Sequence, residues 1–182
     1  ATAFSQDTAT FDQAISAYDQ GDYEQALQLF EQVLNQRPDN PVVLCWMGTA
    51  HLQLGSLSQA EQHLKRSLDN KEDYAVAHNN LGNVYLAQGK LEQAKTHYDR
   101  AIELDADYAD AHFNLANLHA RNRQYEVAFN EFNRALQHSP NDFDIHTNFG
   151  HALMQAGLTD KAIREYEAAH NLRPQDPQPL TV

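Results

Sequence analysis

All seven glycines of the chain fall on two phases of a 34-residue period: Gly48, Gly82 and Gly150 on the first, Gly21, Gly55, Gly89 and Gly157 on the second. A period of this length means that one supersecondary unit is used repeatedly, and such a unit buries its apolar face only by stacking on its neighbours. On the first phase the two remaining units carry Ala14 and Ala116, so a small side chain stands there every time. A second small position repeats without exception as Ala26, Ala60, Ala94, Ala128 and Ala162. Four residues after it come Phe30, Leu64, Tyr98, Phe132 and Tyr166, and Pro38, Pro140 and Pro174 mark unit ends.

Within each unit the apolar residues recur at helical spacing, pass a glycine near the middle, and resume in a second helical run. The reading is helix, turn, helix, turn. A mid-unit glycine in the left-handed region ends the first helix, and proline after the second forbids its continuation. The expected fold is all-α, a helical-repeat solenoid of five helix-turn-helix units at 7–40, 41–74, 75–108, 109–142 and 143–176, with ten helices and no strand. Residues 1–6 form an N-terminal extension and 177–182 a C-terminal tail. The fourth unit has Arg123 in place of the turn glycine, and Asn122 beside it is expected to supply the left-handed residue.

These phases of small residues, aromatics and proline resemble the tetratricopeptide repeat, over nearly the whole chain; the third unit, AVAHNNLGNVYLAQGKLEQAKTHYDRAIELDADY, is the most typical. Gln13 departs from it, standing where a leucine is usual. The resemblance implies a right-handed superhelix with the first helix of each unit lining a concave groove, and a protein–protein interaction module that binds an extended peptide or partner segment there.

Carrying the family's inner-face positions onto this chain gives a lopsided groove. Its N-terminal part holds Phe11, Ile15, Tyr18, Val42, Cys45, Trp46, Thr49 and Leu52. Its C-terminal part holds Asn79, Asn80, Asn83, Phe113, Asn114, Asn117, Arg121, Asn148 and His151. Asn80, Asn114 and Asn148 share one phase, and Asn83 and Asn117 another. A primary amide offers both donors and an acceptor, so a row of them can pair with any peptide backbone whatever its side chains. The phrases AHNNLGN, AHFNLAN and IHTNFGH resemble repeats of O-linked N-acetylglucosamine transferases, where an asparagine ladder holds polypeptide substrates; the likeness covers the last three units. Three readings stand side by side: a ligand-facing ladder, solvated amides of no function, or amides that cap inter-helix hydrogen bonds. For Phe11, Tyr18 and Trp46 the alternatives are core packing and anchor sites for a bulky apolar side chain.

His78, His112 and His146 recur once per unit, which spaces them by at least a helix-packing distance, roughly 8–10 Å, too far for one metal ion. They are read as structural, and no metal or cofactor is expected. Cys45 has no cysteine partner and no basic neighbour in sequence, so it is read as a packing residue, and compartment stays open. The formal charge of −12, with thirteen scattered basic residues, argues against nucleic acid. No apolar run approaches the roughly 20 residues that span a bilayer. Since the chain starts at Ala1, an upstream segment is expected, and with it room for a targeting signal or anchor.

Neither a nucleophile elbow, a phosphate loop nor a metal signature occurs, so the chain is read as non-enzymatic. Besides Arg121 the charged groove positions are acidic, Asp12, Asp19, Asp110 and Asp144, and a neutral or basic partner is expected. Two alternatives remain: the docking domain of a larger enzyme, or a scaffold that self-associates through its last repeat. The scaffold reading predicts an apolar patch of Leu158, Ile163, Tyr166 and Leu172, with the PQPLTV tail engaging a neighbour.

Overall fold

The computed structural model describes residues 2–174. Among them there are ten helices and no strand, paired as helix-turn-helix units. They fall into two compact units divided between Leu104 and Asp105.

The first unit contains α1 (Thr2–Asp19), α2 (Tyr23–Gln36), α3 (Pro41–Gln53), α4 (Leu57–Asn70), α5 (Ala75–Ala87) and α6 (Leu91–Leu104). Helix α1 starts within the stretch read as an extension. Each even-numbered helix packs antiparallel on the one before it, α2 and α4 also pack on the helix that follows, and α3 touches α5. The second unit contains α7 (Ala109–Arg121), α8 (Tyr125–His138), α9 (Phe143–Gln155) and α10 (Thr159–Leu172), paired in the same way, with α7 touching α9.

The small-residue phases are explained by what lies against them. A Cβ built on Gly82 would sit 2.5 Å from the Tyr98 ring, one on Gly150 would meet Tyr166 at 2.5 Å, and one on Gly48 would meet Leu64 at 2.5 Å. The side chain from the second helix is therefore seated directly on the Cα of the first. Where the partner is phenylalanine, at Phe30 and Phe132, the position carries Ala14 or Ala116 instead, and all four of these residues are fully buried. Core clusters form around these seats, with Phe30, Val33 and Met47 in the first unit and Phe132, Phe149 and Leu153 in the second.

The turns run through Gly21, Gly55, Gly89 and Gly157, all at positive φ between 70° and 80°. In the fourth repeat the left-handed residue is Arg123, at φ 59°, while Asn122 keeps φ −85°, contrary to the expectation that Asn122 would take that role. The cause is register: Arg123 stands on the glycine phase, and the helix runs on far enough for Asn122 to serve as its C-cap.

The expected apolar patch at the last repeat is not built as predicted. Tyr166 is 5% exposed, buried against Gly150, and Ile163 is half-buried, which leaves Leu158 and Leu172 as the exposed members. The PQPLTV tail lies outside the described residues.

Candidate functional site

The histidine row shows how the first helices are anchored. The Nε2 atoms of His78, His112 and His146 lie 3.0 Å from the carbonyl oxygens of Glu72, Ala106 and Pro140, six residues upstream in each case. The opposite nitrogen, Nδ1, meets the second helix of the same repeat: His97 at 3.0 Å, Glu131 at 2.6 Å and Glu165 at 2.7 Å. Each ring thus staples a first helix both to its entry turn and to its partner helix. Among the described residues no three His, Cys, Asp or Glu side chains converge on a metal position.

In the first unit the residues proposed from sequence are largely occupied by one another. Trp46 stacks on Phe30 with centroids 6.1 Å apart, Tyr18 meets Trp46 edge-on at 5.2 Å, and Phe11 lies 5.8 Å from Phe30. Phe11, Tyr18 and Trp46 are half-buried and rim the core around the fully buried Phe30. Phe11 also lines a small cavity of about 260 Å³ with Val33, Val42 and Val43, which Tyr18 and Trp46 do not reach. Asn80 donates to Thr49 Oγ1 at 3.0 Å and to Cys45 Sγ at 3.6 Å, tying α5 to α3. Burial pushes the Cys45 thiol up to about 11, so it stays protonated. Asn79 is 3% exposed and lies beneath the surface, its Nδ2 3.4 Å from Asn80 Oδ1. Asn83 Oδ1 accepts the Tyr98 hydroxyl at 2.8 Å.

The second unit is different. Asn117, Arg121, Asn148 and His151 come together around an open pocket of about 820 Å³. Arg123, Tyr125 and Gln155 complete its wall, and Ala120 and Ala152 contribute small apolar surface. Asn117 stands at the same phase as Asn83, but the aromatic of its repeat is Phe132, which has no hydroxyl to occupy the amide. Among the described residues neither Asn117 nor Asn148 makes a side-chain hydrogen bond. Phe113 is half-buried against the core, 6.3 Å from Phe132, and Asn114 is also half-buried. His151 is exposed and meets Tyr166 edge-on at 5.5 Å. No carboxylate lines the pocket; Asp110 and Asp144 stand in the first turns of α7 and α9, away from it. Burial, with Asp142 nearby, raises the Asp110 carboxyl above the usual range.

Family models agree with this architecture: the tetratricopeptide repeat matches residues 17–84 and 120–181, and a second repeat model of the same kind matches 82–122. The chain belongs to the tetratricopeptide repeat family. Solved structures of similar fold include TTC0263, a thermophilic TPR protein of Thermus thermophilus, at 24% identity over 93% of each chain with a TM-score of 0.84. MamA is similar at 22% identity over 97% of this chain and 96% of that one, TM-score 0.69. YrrB, described as having an unusual peptide-binding site, is similar at 17% identity over 91% and 86%, TM-score 0.64. No curated protein sequence matches. Among the described residues no helix is long and apolar enough to cross a membrane.

Of the asparagines expected to form a ladder, Asn117 and Asn148 are the two that line the pocket, whereas Asn80 and Asn83 are engaged inside the first unit. Sequence reasoning passes over Arg123, Tyr125 and Gln155 as site residues. Arg123 carries a visible sign, the lone non-glycine on its phase; Tyr125 and Gln155 carry none.

Proposed function

We propose that the chain is a protein-interaction module whose first-helix faces hold an extended peptide segment, with the amides of Asn117 and Asn148 pairing with its backbone. The observation that supports this most directly is the pair of unengaged amides lining an open pocket whose volume lies within the roughly 300–1,000 Å³ common for ligand sites. An amide in such a place gives a peptide unit both a donor and an acceptor without reading sequence. The peptide-binding site of YrrB, on a similar fold, lends the reading precedent. Where the partner crosses Asp110 and Asp144 of the second unit it is neutral or basic.

Selection of displayed peptides on the immobilised protein, followed by titration of the best binder, tests this. The double substitution Asn117→Ala/Asn148→Ala should weaken binding by about 1–3 kcal/mol in total, at the usual net value of about 0.5–1.5 kcal/mol per hydrogen bond, with the melting temperature unchanged. Undiminished affinity of the double variant for the selected peptides would remove the amides from the function.

A further inference from the structure

The charge in the pocket of the second unit runs against that of the molecule. The chain carries 25 acidic and 13 basic residues, and its other cations tend to be matched: Arg100 lies 3.0 Å from Glu103, Arg134 3.9 Å from Glu131, and Arg66 bonds Asp39. Arg121 and Arg123 line one pocket, have no carboxylate beside them in its wall, and make no ion pair among the described residues. A guanidinium is a planar fork of donors suited to a carboxylate.

Resting on the module reading above, we propose that this pocket takes an acidic side chain, Asp or Glu, from within the partner's peptide chain, clasped by Arg121 and Arg123 while Asn117 and Asn148 hold the adjoining backbone. Arg121 alone has an ordinary explanation, since it stands in the last turn of α7 where a cation offsets the helix dipole. Arg123 has none of that kind. It lies beyond the helix at φ 59°, a conformation unfavourable for a residue with a Cβ, at the position where the other four repeats carry glycine. The backbone would be easier to form with glycine, and what arginine adds is a guanidinium in the pocket wall. The Ala120 and Ala152 surface suits the methylene stem of a glutamate, and the amides suit main chain, so an internal acidic residue fits the lining better than a bare anion. This narrows the sequence-based expectation of a neutral or basic partner to the regions outside the pocket.

The test uses the full chain and fluorescein-labelled twelve-residue peptides of a Gly-Ser background. One carries three central glutamates and is acetylated and amidated; a second has glutamines in their place; a third is the glutamine peptide with a free C-terminal carboxylate. Anisotropy should show the glutamate peptide binding at least about tenfold more tightly than either glutamine peptide, as expected when charge-assisted hydrogen bonds are present in one case only. Arg123→Gly and Arg121→Gln should each weaken it about tenfold, and higher salt should weaken it further. Because glycine suits the turn, Arg123→Gly should melt at the wild-type temperature or above it, so lost binding cannot be ascribed to lost fold. Equal affinity for the amidated glutamate and glutamine peptides would overturn the charge assignment while leaving the module reading intact. Failure of the glutamate peptide to bind, or preference for the free C-terminus alone, would also overturn it. So would salt-sensitive self-association in sedimentation that Arg123→Gly abolishes without any peptide binding, because the occupant would then be a second copy.

Discussion

The two units solve one problem, holding a first helix to its partner helix, with different chemistry at equivalent positions. In the third repeat His78 meets His97, two rings that share a proton only while at least one is neutral. Burial, with His78 and Lys65 alongside, holds His97 down at about 4, and burial with His51 and Arg66 does the same to His63 in the second repeat. In the fourth and fifth repeats the partner is a carboxylate, Glu131 or Glu165, which accepts a hydrogen bond from the ring Nδ1–H. Equivalent positions therefore give one unit a ring-to-ring junction that acid weakens and the other a ring-to-carboxylate hydrogen bond.

The comparison breaks most sharply at His112, whose side chain is 1% exposed. Its replacement by alanine leaves Glu131, at 13% exposure, without its ring partner and also empties the bond to the Ala106 carbonyl. We expect a loss of about 2–6 kcal/mol in urea unfolding, since two acceptors lose their donor at roughly 1–3 kcal/mol each. His146→Ala, in a more exposed copy of the same junction, should cost distinctly less. Equal losses at both sites would show that burial does not set the strength of the pair.

Next in size is the seat beneath the aromatic. Gly82→Ala places a Cβ 2.5 Å from the Tyr98 ring and should cost about 1–3 kcal/mol, whereas Ala116→Gly, which relieves no crowding, should cost only about 0.5–1 kcal/mol through backbone entropy. Thermal melts of both variants decide it, and a neutral Gly82→Ala would mean that the ring can shift aside.

A smaller effect sharpens the contrast between units directly. Between about pH 6.5 and about 4 the unfolded chain binds protons at positions 63 and 97 that the folded chain refuses, so stability is complete above 6.5 and falls as the pH drops through that window. Both rings are partly open to solvent, which screens the effect to something on the order of 1 kcal/mol per ring. His97→Glu rebuilds the junction of the later repeats and should flatten the fall between pH 7 and pH 5 in paired urea titrations. If wild type and variant lose stability in parallel over that interval, His97 is not a source of the acid sensitivity.

Much of this is legible in the chain because small residues and turns obey strict local geometry. Gly82 and Ala116 announce close approach, and Gly89 announces a left-handed turn, without any coordinates. The side chains are harder to place. Tyr166 is buried although its place near the chain end suggests exposure; it shares its phase with Phe30 and Tyr98, and the phase is the better guide. Asn79 and Asn80 are adjacent, yet one step around the helix carries the first into the interior and leaves the second bonded to Thr49. The pocket is partly hidden from a periodic reading because two of its nine lining residues, Arg123 in the turn after α7 and Tyr125 at the start of α8, lie off the helical stripe that such a reading follows.

The seating of Leu64, Tyr98 and Tyr166 on glycine, and of Phe30 and Phe132 on alanine, bears on how such repeats can be exchanged. The two partners of each seat lie sixteen positions apart inside one repeat, so they travel together only if the join falls between repeats. A chimera cut between the first and second helices could set the alanine of one repeat under the tyrosine of another, while one cut at the 74/75 or 142/143 junction would not. Duplication and shuffling of these segments therefore have natural seams, and they coincide with the ends of the 34-residue period rather than with its glycine turns.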